Sequence, residues 1–354
     1  MVAEGSAAGR TGPLPYHRPM ADGSPRLTEL TDCGGCAAKL GADLLAEALR
    51  GLGAGGPGGS PDLLVGLDAP DDAAVHRLSP ELAAIGTVDF FPPLVDDPAD
   101  YGAIAAANAV SDVFAMGGRV LFALSVAAFP ETLPVGTLRA ILDGAAATVA
   151  AAGGTLAGGH TIRSDEPTYG LAVIGVAHPD RLLVKGGARP GDRLLLTKPL
   201  GTGLLVSGRR AGRTGDAHLA AAVASMRRLN RRASECLVDA GVRGATDVTG
   251  FGLLGHALEM ARGAGVRLEI EAGALPDLPG ALALAAEGTE TGGAAHNRRF
   301  VADSLAVGPG VDPALVALAH DPQTSGGLLA AVQPARLRDV TSALDAAGEP
   351  WWEI

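Results

Sequence analysis

The sequence predicts a two-domain protein of the α+β or mixed α/β class. Three observations carry this. Strand-like and helix-like stretches interleave without the strict β-α-β alternation of a doubly wound sheet. Apolar content drops between residues 180 and 190, where Lys185-Gly-Gly-Ala-Arg-Pro-Gly191 reads as a polar hinge. The chain's 354 residues, 47% of them hydrophobic, suffice for two cores of ordinary size. The expected division is a flexible N-terminal arm over 1–26, a ligand-binding domain over 27–180 and an α+β domain over 186–354.

The first 25 residues are rich in Gly, Pro, Ala and Arg and lack the apolar stretch of a signal peptide. Strands are expected over 63–66 and 73–78, flanking the acidic turn Asp68-Ala-Pro-Asp-Asp72. The run IGTVDFF over 85–91 is rich in β-formers and bears one carboxylate, Asp89. Asp97-Pro98 supplies an N-cap and a first-turn proline for a helix that stops at Gly117-Gly118. On that helix Ile104, Asn108 and Asp112 share one face at a spacing of four. A second helix over about 134–152 presents Leu138, Ile141, Leu142, Ala145 and Val149 as its apolar stripe. Beyond the hinge the pattern predicts strands over 193–197, 266–270 and 328–332 and one long helix over about 217–240. A strand over 169–177 closes the first half.

Composition excludes several function classes. A net charge of −11 argues against nucleic acid or an anionic membrane as a partner. Three cysteines make no disulfide framework, which points to a reducing cytoplasm. The longest apolar run, over 120–129, is too short to span a bilayer.

The chemistry concentrates first in LTELTDCGGCAAKL, residues 27–40. Only three of the 28 basic residues are lysine, at 39, 185 and 198. In an arginine-rich chain, Lys39 three residues after Cys36 suggests a need for a compact point charge. A nearby ammonium also favours the reactive thiolate. Cys33 and Cys36 admit a redox pair or one nucleophile; a structural zinc site lacks its other ligands. Cys236 reads as a plain buried thiol. Asp72, Asp89, Asp112 and Asp247 each adjoin an apolar run, where an unpaired charge is costly. Converging aspartates would suit Mg²⁺, which takes carboxylates together with substrate phosphates. Asn108, mid-helix, either bonds neighbouring backbone or holds a ligand or Asp112. The glycine loops at 158–161, 201–203, 250–252 and 325–327 could cradle phosphate or be plain turns. None matches a P-loop or dinucleotide fingerprint.

Taken in order, LTELTDCGGCAAKL, DDAAV, TVDFFPPLVDDP, AAANAVSDVFAMGG, AGGHTI, LTKPLGTG, TDVTGFGLLGH and DPQTSGGLL resemble the selenophosphate synthetase (selenide, water dikinase) family. The resemblance runs from residue 27 to about 332. It implies an aminoimidazole ribonucleotide synthetase-like fold, whose N-terminal domain dimerises through a β-barrel. It also implies a reaction of ATP, selenide and water giving selenophosphate, AMP and phosphate. By position, Cys36 matches the catalytic residue and Lys39 the essential lysine, which also touches ATP. Asp72, Asp112 and Asp247 match the magnesium ligands. Ala69, Pro70, Asp71, Asp89, Asp112, Gly159, His160 and Thr161 match ATP contacts, with ATP near the interface of a homodimer. The chain ends at Trp351-Trp-Glu-Ile354, short of where that pattern places a last strand. Two other readings are another ATP-dependent enzyme of the same fold, such as a thiamine-phosphate kinase or an amidine-forming ligase, and a redox-switched nucleotide-binding module.

Overall fold

The computed structural model describes residues 26–31, 34–35, 60–67, 71–289 and 291–354. Its first half is built on a six-stranded sheet of β1 (Leu63–Val65), β2 (Ala74–Ser79), β3 (Leu82–Phe91), β4 (Arg119–Phe129), β5 (Thr155–Arg163) and β6 (Thr168–Ala177). The strand order is β1-β2-β3-β6-β4-β5; β4 and β5 run parallel and the other neighbours antiparallel. Two helices, α1 (Pro98–Ala115) and α2 (Val135–Ala151), cover the inner face. The Asp97 side chain accepts from Asp100 N at 2.8 Å and caps α1, with Pro98 in the first turn. The two helices pack closely, because a Cβ on Gly102 would meet Ile141 O at 1.9 Å and one on Gly144 would meet Ala99 O at 2.1 Å.

The second half holds a four-stranded antiparallel sheet ordered β10-β7-β9-β8. These strands are β7 (Arg193–Leu196), β8 (Gly244–Asp247), β9 (Leu328–Val332) and β10 (Trp352–Glu353). Around it lie α3 (Thr202–Arg210), α4 (Asp216–Arg227), α5 (Arg231–Asp239), α6 (Gly252–Ala264), α7 (Ala281–Ala286), α8 (Ala294–Val301), α9 (Pro313–His320) and α10 (Leu337–Ala347). Helix α1 touches β3 and β6 on one side and β8, α4 and α5 on the other, so it is buried along nearly its whole length. No helix among the described residues is long and apolar enough to cross a membrane.

Three expectations change. The 217–240 helix is two helices, α4 and α5. Arg228 O accepts from Lys198 Nζ at 2.6 Å, while Asn230 Nδ2 donates to Ser111 Oγ and Gly326 O, both at 2.8 Å. The chain therefore leaves helical geometry at Arg228, ψ 130°, to satisfy those buried partners. Residues 266–270 form no strand; Val266, Leu268 and Ile270 pack on the core without a ladder. Gly158-Gly159-His160-Thr161 is not a loop but part of edge strand β5. There a Cβ on Gly159 would meet Ser125 O at 2.3 Å. At the edge of the second sheet, β10 pairs with β7.

The expected hinge is also more than a linker: the Lys185 side chain is only 9% exposed. Cys236 is half-buried rather than buried, and burial, then Glu235, raises its thiol pKa.

Candidate active site

The aspartates expected as metal ligands are joined where β3, α1 and β8 meet. Asp72 Oδ1 accepts from Thr246 Oγ1 at 2.8 Å. The next residue, Asp247, ends β8 and is 1% exposed; its Oδ2 accepts from Ser111 Oγ at 2.6 Å. Beside Ser111 on α1 stands Asp112, whose Oδ2 accepts from Thr87 Oγ1 of β3. A continuous run of hydrogen bonds and chain neighbours thus links Asp72, Asp247 and Asp112. One turn back on α1, Asn108 Nδ2 donates to Asp89 Oδ2 at 2.6 Å.

Helical spacing puts Asn108, Ser111 and Asp112 on neighbouring parts of one helix. Strand alternation turns Thr87 and Asp89 of β3 inward together, while Val88 and Phe90 face out. Among the described residues, no three His, Cys, Asp or Glu side chains gather closely enough to hold a metal ion. Asp72 nonetheless keeps a buried Oδ2 without a hydrogen-bond partner. A bare carboxylate oxygen is the donor that a hard divalent cation takes, so Asp72 offers magnesium one such oxygen.

A charge network backs Asp72. Lys185 Nζ lies 3.0 Å from Asp72 Oδ1 and 2.9 Å from Glu259 Oε2, and Glu259 lies 3.3 Å from His256 Nδ1. Lys185 N donates to Asp71 Oδ2 at 2.9 Å. Burial pulls the Lys185 pKa down, but Asp72, Glu259 and Asp71 outweigh it and hold it above its ordinary value. For Glu259, burial is outweighed by His256 and Lys185, leaving its pKa at about 2. Burial and the Asp72 charge raise Asp71 to about 7.

The other buried lysine behaves oppositely. Lys198 is 2% exposed, and burial lowers its pKa to about 7. An unfolded lysine keeps its proton to about pH 10.4. Between those values the unfolded chain binds more protons, so this group makes stability rise with pH. Urea midpoints at pH 7, 8 and 9 check it: the deficit of Lys198→Met against wild type should widen as pH rises. A constant deficit would remove Lys198 from that role.

Gly159, His160 and Thr161 lie on exposed β5. In lateral register, Asp89 faces Leu171, Leu171 faces Ser125, and Ser125 faces Gly159. Three strand spacings therefore separate Asp89 from Gly159, about 14 Å. Cys33, Cys36, Lys39, Ala69 and Pro70 lie outside the described residues. The stem of the cysteine segment is described: Thr28 N and Oγ1 donate to Asp96 Oδ1 at 3.1 and 2.6 Å, and Gly35 N to Pro92 O at 3.0 Å. Arg210 of α3 reaches Thr31 O and Pro93 O at 3.4 and 3.2 Å.

The loop at 201–203 is no phosphate cradle. Gly201 N and Thr202 N donate to Gln323 Oε1, and Leu204 N donates to Asp321 Oδ2. Sequence reasoning missed Thr87, Ser111, Lys185, Lys198, Thr246, Glu259 and Ser325. For the two lysines a signal existed: the scarcity that singled out Lys39 applied equally to them.

Residues 70–177 match the AIR synthase related protein N-terminal domain, and residues 189–354 the corresponding C-terminal domain. The structure superposes on the protein tt0281 of Thermus thermophilus with a TM-score of 0.66 at 26% identity, covering 89% of this chain and 93% of that one. The fold and the two matched models thus define a two-domain protein of the AIR synthase-related class. Selenide, water dikinase from Burkholderia pseudomallei is 47% identical over 318 residues, 90% of this chain and 89% of that protein. The same-named protein of Myxococcus xanthus is 45% identical over 325 residues, 91% of this chain and 92% of the other. The chain belongs to the selenide, water dikinase family.

Proposed function

We propose that Asp72, Asp112 and Asp247 carry the magnesium ions of this selenide, water dikinase, which forms selenophosphate, AMP and phosphate from selenide, ATP and water. The observation that carries the reading is the run of hydrogen bonds and chain neighbours from Asp72 through Thr246, Asp247 and Ser111 to Asp112, with a bare Asp72 oxygen at its start. Bound magnesium would supply charge neutralisation and alignment of the triphosphate.

The chain's own groups divide the remaining work. Asp71 and Asp89 bind the nucleotide, with Ala69 and Pro70 contributing backbone. Lys39 neutralises the transferring γ-phosphoryl group, and Cys36 holds or delivers selenium. Selenide takes the γ-phosphoryl group and ADP leaves; water then cleaves ADP to AMP and phosphate. Phosphorus NMR of ATP with the full-length chain tests this. Selenophosphate and AMP are expected only with selenide and Mg²⁺ present, and both should vanish for Cys36→Ser and Lys39→Ala. ADP as the sole nucleotide product would sink the assignment.

The homodimer belongs to the same proposal. The outer face of the six-stranded sheet exposes Leu82, Val88, Phe90, Phe122, Leu124 and Ile162, a continuous apolar surface of the kind that marks an interface. In the same proposal Gly159, His160 and Thr161, about 14 Å from Asp89 across the sheet, contact the nucleotide of the partner chain. Sedimentation velocity should return twice the 35.3 kDa chain mass; a monomer at micromolar concentration would rule the arrangement out.

A further inference from the structure

We propose that Lys198, in the second half of the chain, is a positioning residue of the nucleotide site, fixing the Asp89 carboxylate through Ser325 and Asn108. The inference rests on the reading of Asp89 as an ATP contact. Lys198 Nζ donates to Ser325 O at 2.7 Å; Ser325 N donates to Asn108 Oδ1 at 2.7 Å; Asn108 Nδ2 donates to Asp89 Oδ2 at 2.6 Å. All four residues are buried, and the relay crosses from the β7 end to β3.

Each link dictates the next. Ser325 is the one non-glycine with positive φ, at 50°, among the described residues, a conformation that L-residues avoid unless held. It is held at both ends: its carbonyl by Lys198 and its N–H by Asn108. A backbone N–H can only donate, so Asn108 must turn its oxygen toward Ser325 and its NH₂ toward Asp89. The conformation of one strained residue therefore sets which group Asp89 meets. The loop has little room to drift, because a Cβ on Gly326 would meet Val248 O at 1.9 Å and one on Gly327 would meet Lys198 N at 2.3 Å. Lys198 is itself anchored by Arg228 O, the carbonyl that ends α4. Removing its side chain leaves the Ser325 carbonyl without its donor and releases one of the two bonds that hold this residue at positive φ, so the N–H on its other side loses its fixed direction.

Calorimetric titration with Mg²⁺ and adenylyl imidodiphosphate, on the full-length chain, tests this. Lys198→Met and Asp89→Asn should each weaken binding about tenfold to a hundredfold, the range for loss of supporting partners of a ligand. The double variant should bind no worse than Asp89→Asn, because Lys198 acts through that carboxylate. In turnover, Lys198→Met should raise KM for ATP more than it lowers kcat. Leu344→Ala, a core truncation in the second half, provides a stability-matched control and should bind as wild type does. If Lys198→Met does not fold, Lys198→Gln, which keeps a donor, should show the same defect at smaller size. Wild-type affinity in a folded Lys198 variant, with Asp89→Asn impaired, overturns the relay alone. Wild-type affinity in Asp89→Asn overturns the nucleotide assignment and the relay together.

Discussion

Lys185→Met should lose about 3–5 kcal/mol of stability at pH 7, the range for stranding buried charge partners. Its ammonium is the cation beside Asp72, Asp71 and Glu259. Methionine fills similar volume but leaves the carboxylates facing one another. Glu259 is a quarter exposed, which holds the figure toward the low end. The loss also has a pH signature. In wild type the depressed Glu259 pKa contributes stability above about pH 4.3, its ordinary value, and loses it as pH falls through about 2. In the variant the part of that contribution due to Lys185 is gone while the part due to His256 remains, and the stranded carboxylates can shed their cost only by taking protons. The gap between the proteins should therefore be wide at pH 7 and narrow toward pH 4. Denaturation midpoints at the two pH values measure it; a gap under about 1 kcal/mol at pH 7, the worth of an exposed pair, would mean that the network is inconsequential.

Asp247→Asn should separate activity from folding. Asparagine keeps the shape of the side chain and an oxygen for Ser111 Oγ, which donates across 2.6 Å. It removes one negative charge from a position that is 1% exposed, so the melting temperature should hold or rise. As a proposed magnesium ligand, however, Asp247 supplies charge that an amide cannot. Loss of several kcal/mol of transition-state stabilisation corresponds to a fall of about a thousandfold in AMP formation. Raising Mg²⁺ should recover part of it. Near-normal turnover at low Mg²⁺ would take Asp247 out of the metal site.

Much of the fold was legible because it rests on local rules. The Asp97-Pro98 cap and the Gly117 stop bracket α1, and the stripe Ile141, Ala145, Val149 reads directly as the buried side of α2. What failed was set by distant partners. The break between α4 and α5 exists because Lys198 and Asn230 demand groups there, and neither demand leaves a local trace. The glycines at 158–159 suggested a loop, because nothing nearby announces that Ser125 runs beside them. The site divides the same way. Aspartates beside apolar runs were visible as costly charges, and Asn108 as an amide out of place. The residues that hold them, Thr87, Ser111, Thr246 and Ser325, are ordinary hydroxyls whose roles appear only once the halves meet.

That meeting has a mechanical consequence. Helix α1 has no free side: sheet lies against one flank and β8, α4 and α5 against the other. Prising the halves apart would tear Ser111 from Asn230 and Asp247, and Asn108 from Ser325, within a single helix. Rocking of the lobes about Lys185 would therefore have to break all of these bonds on one helix at once.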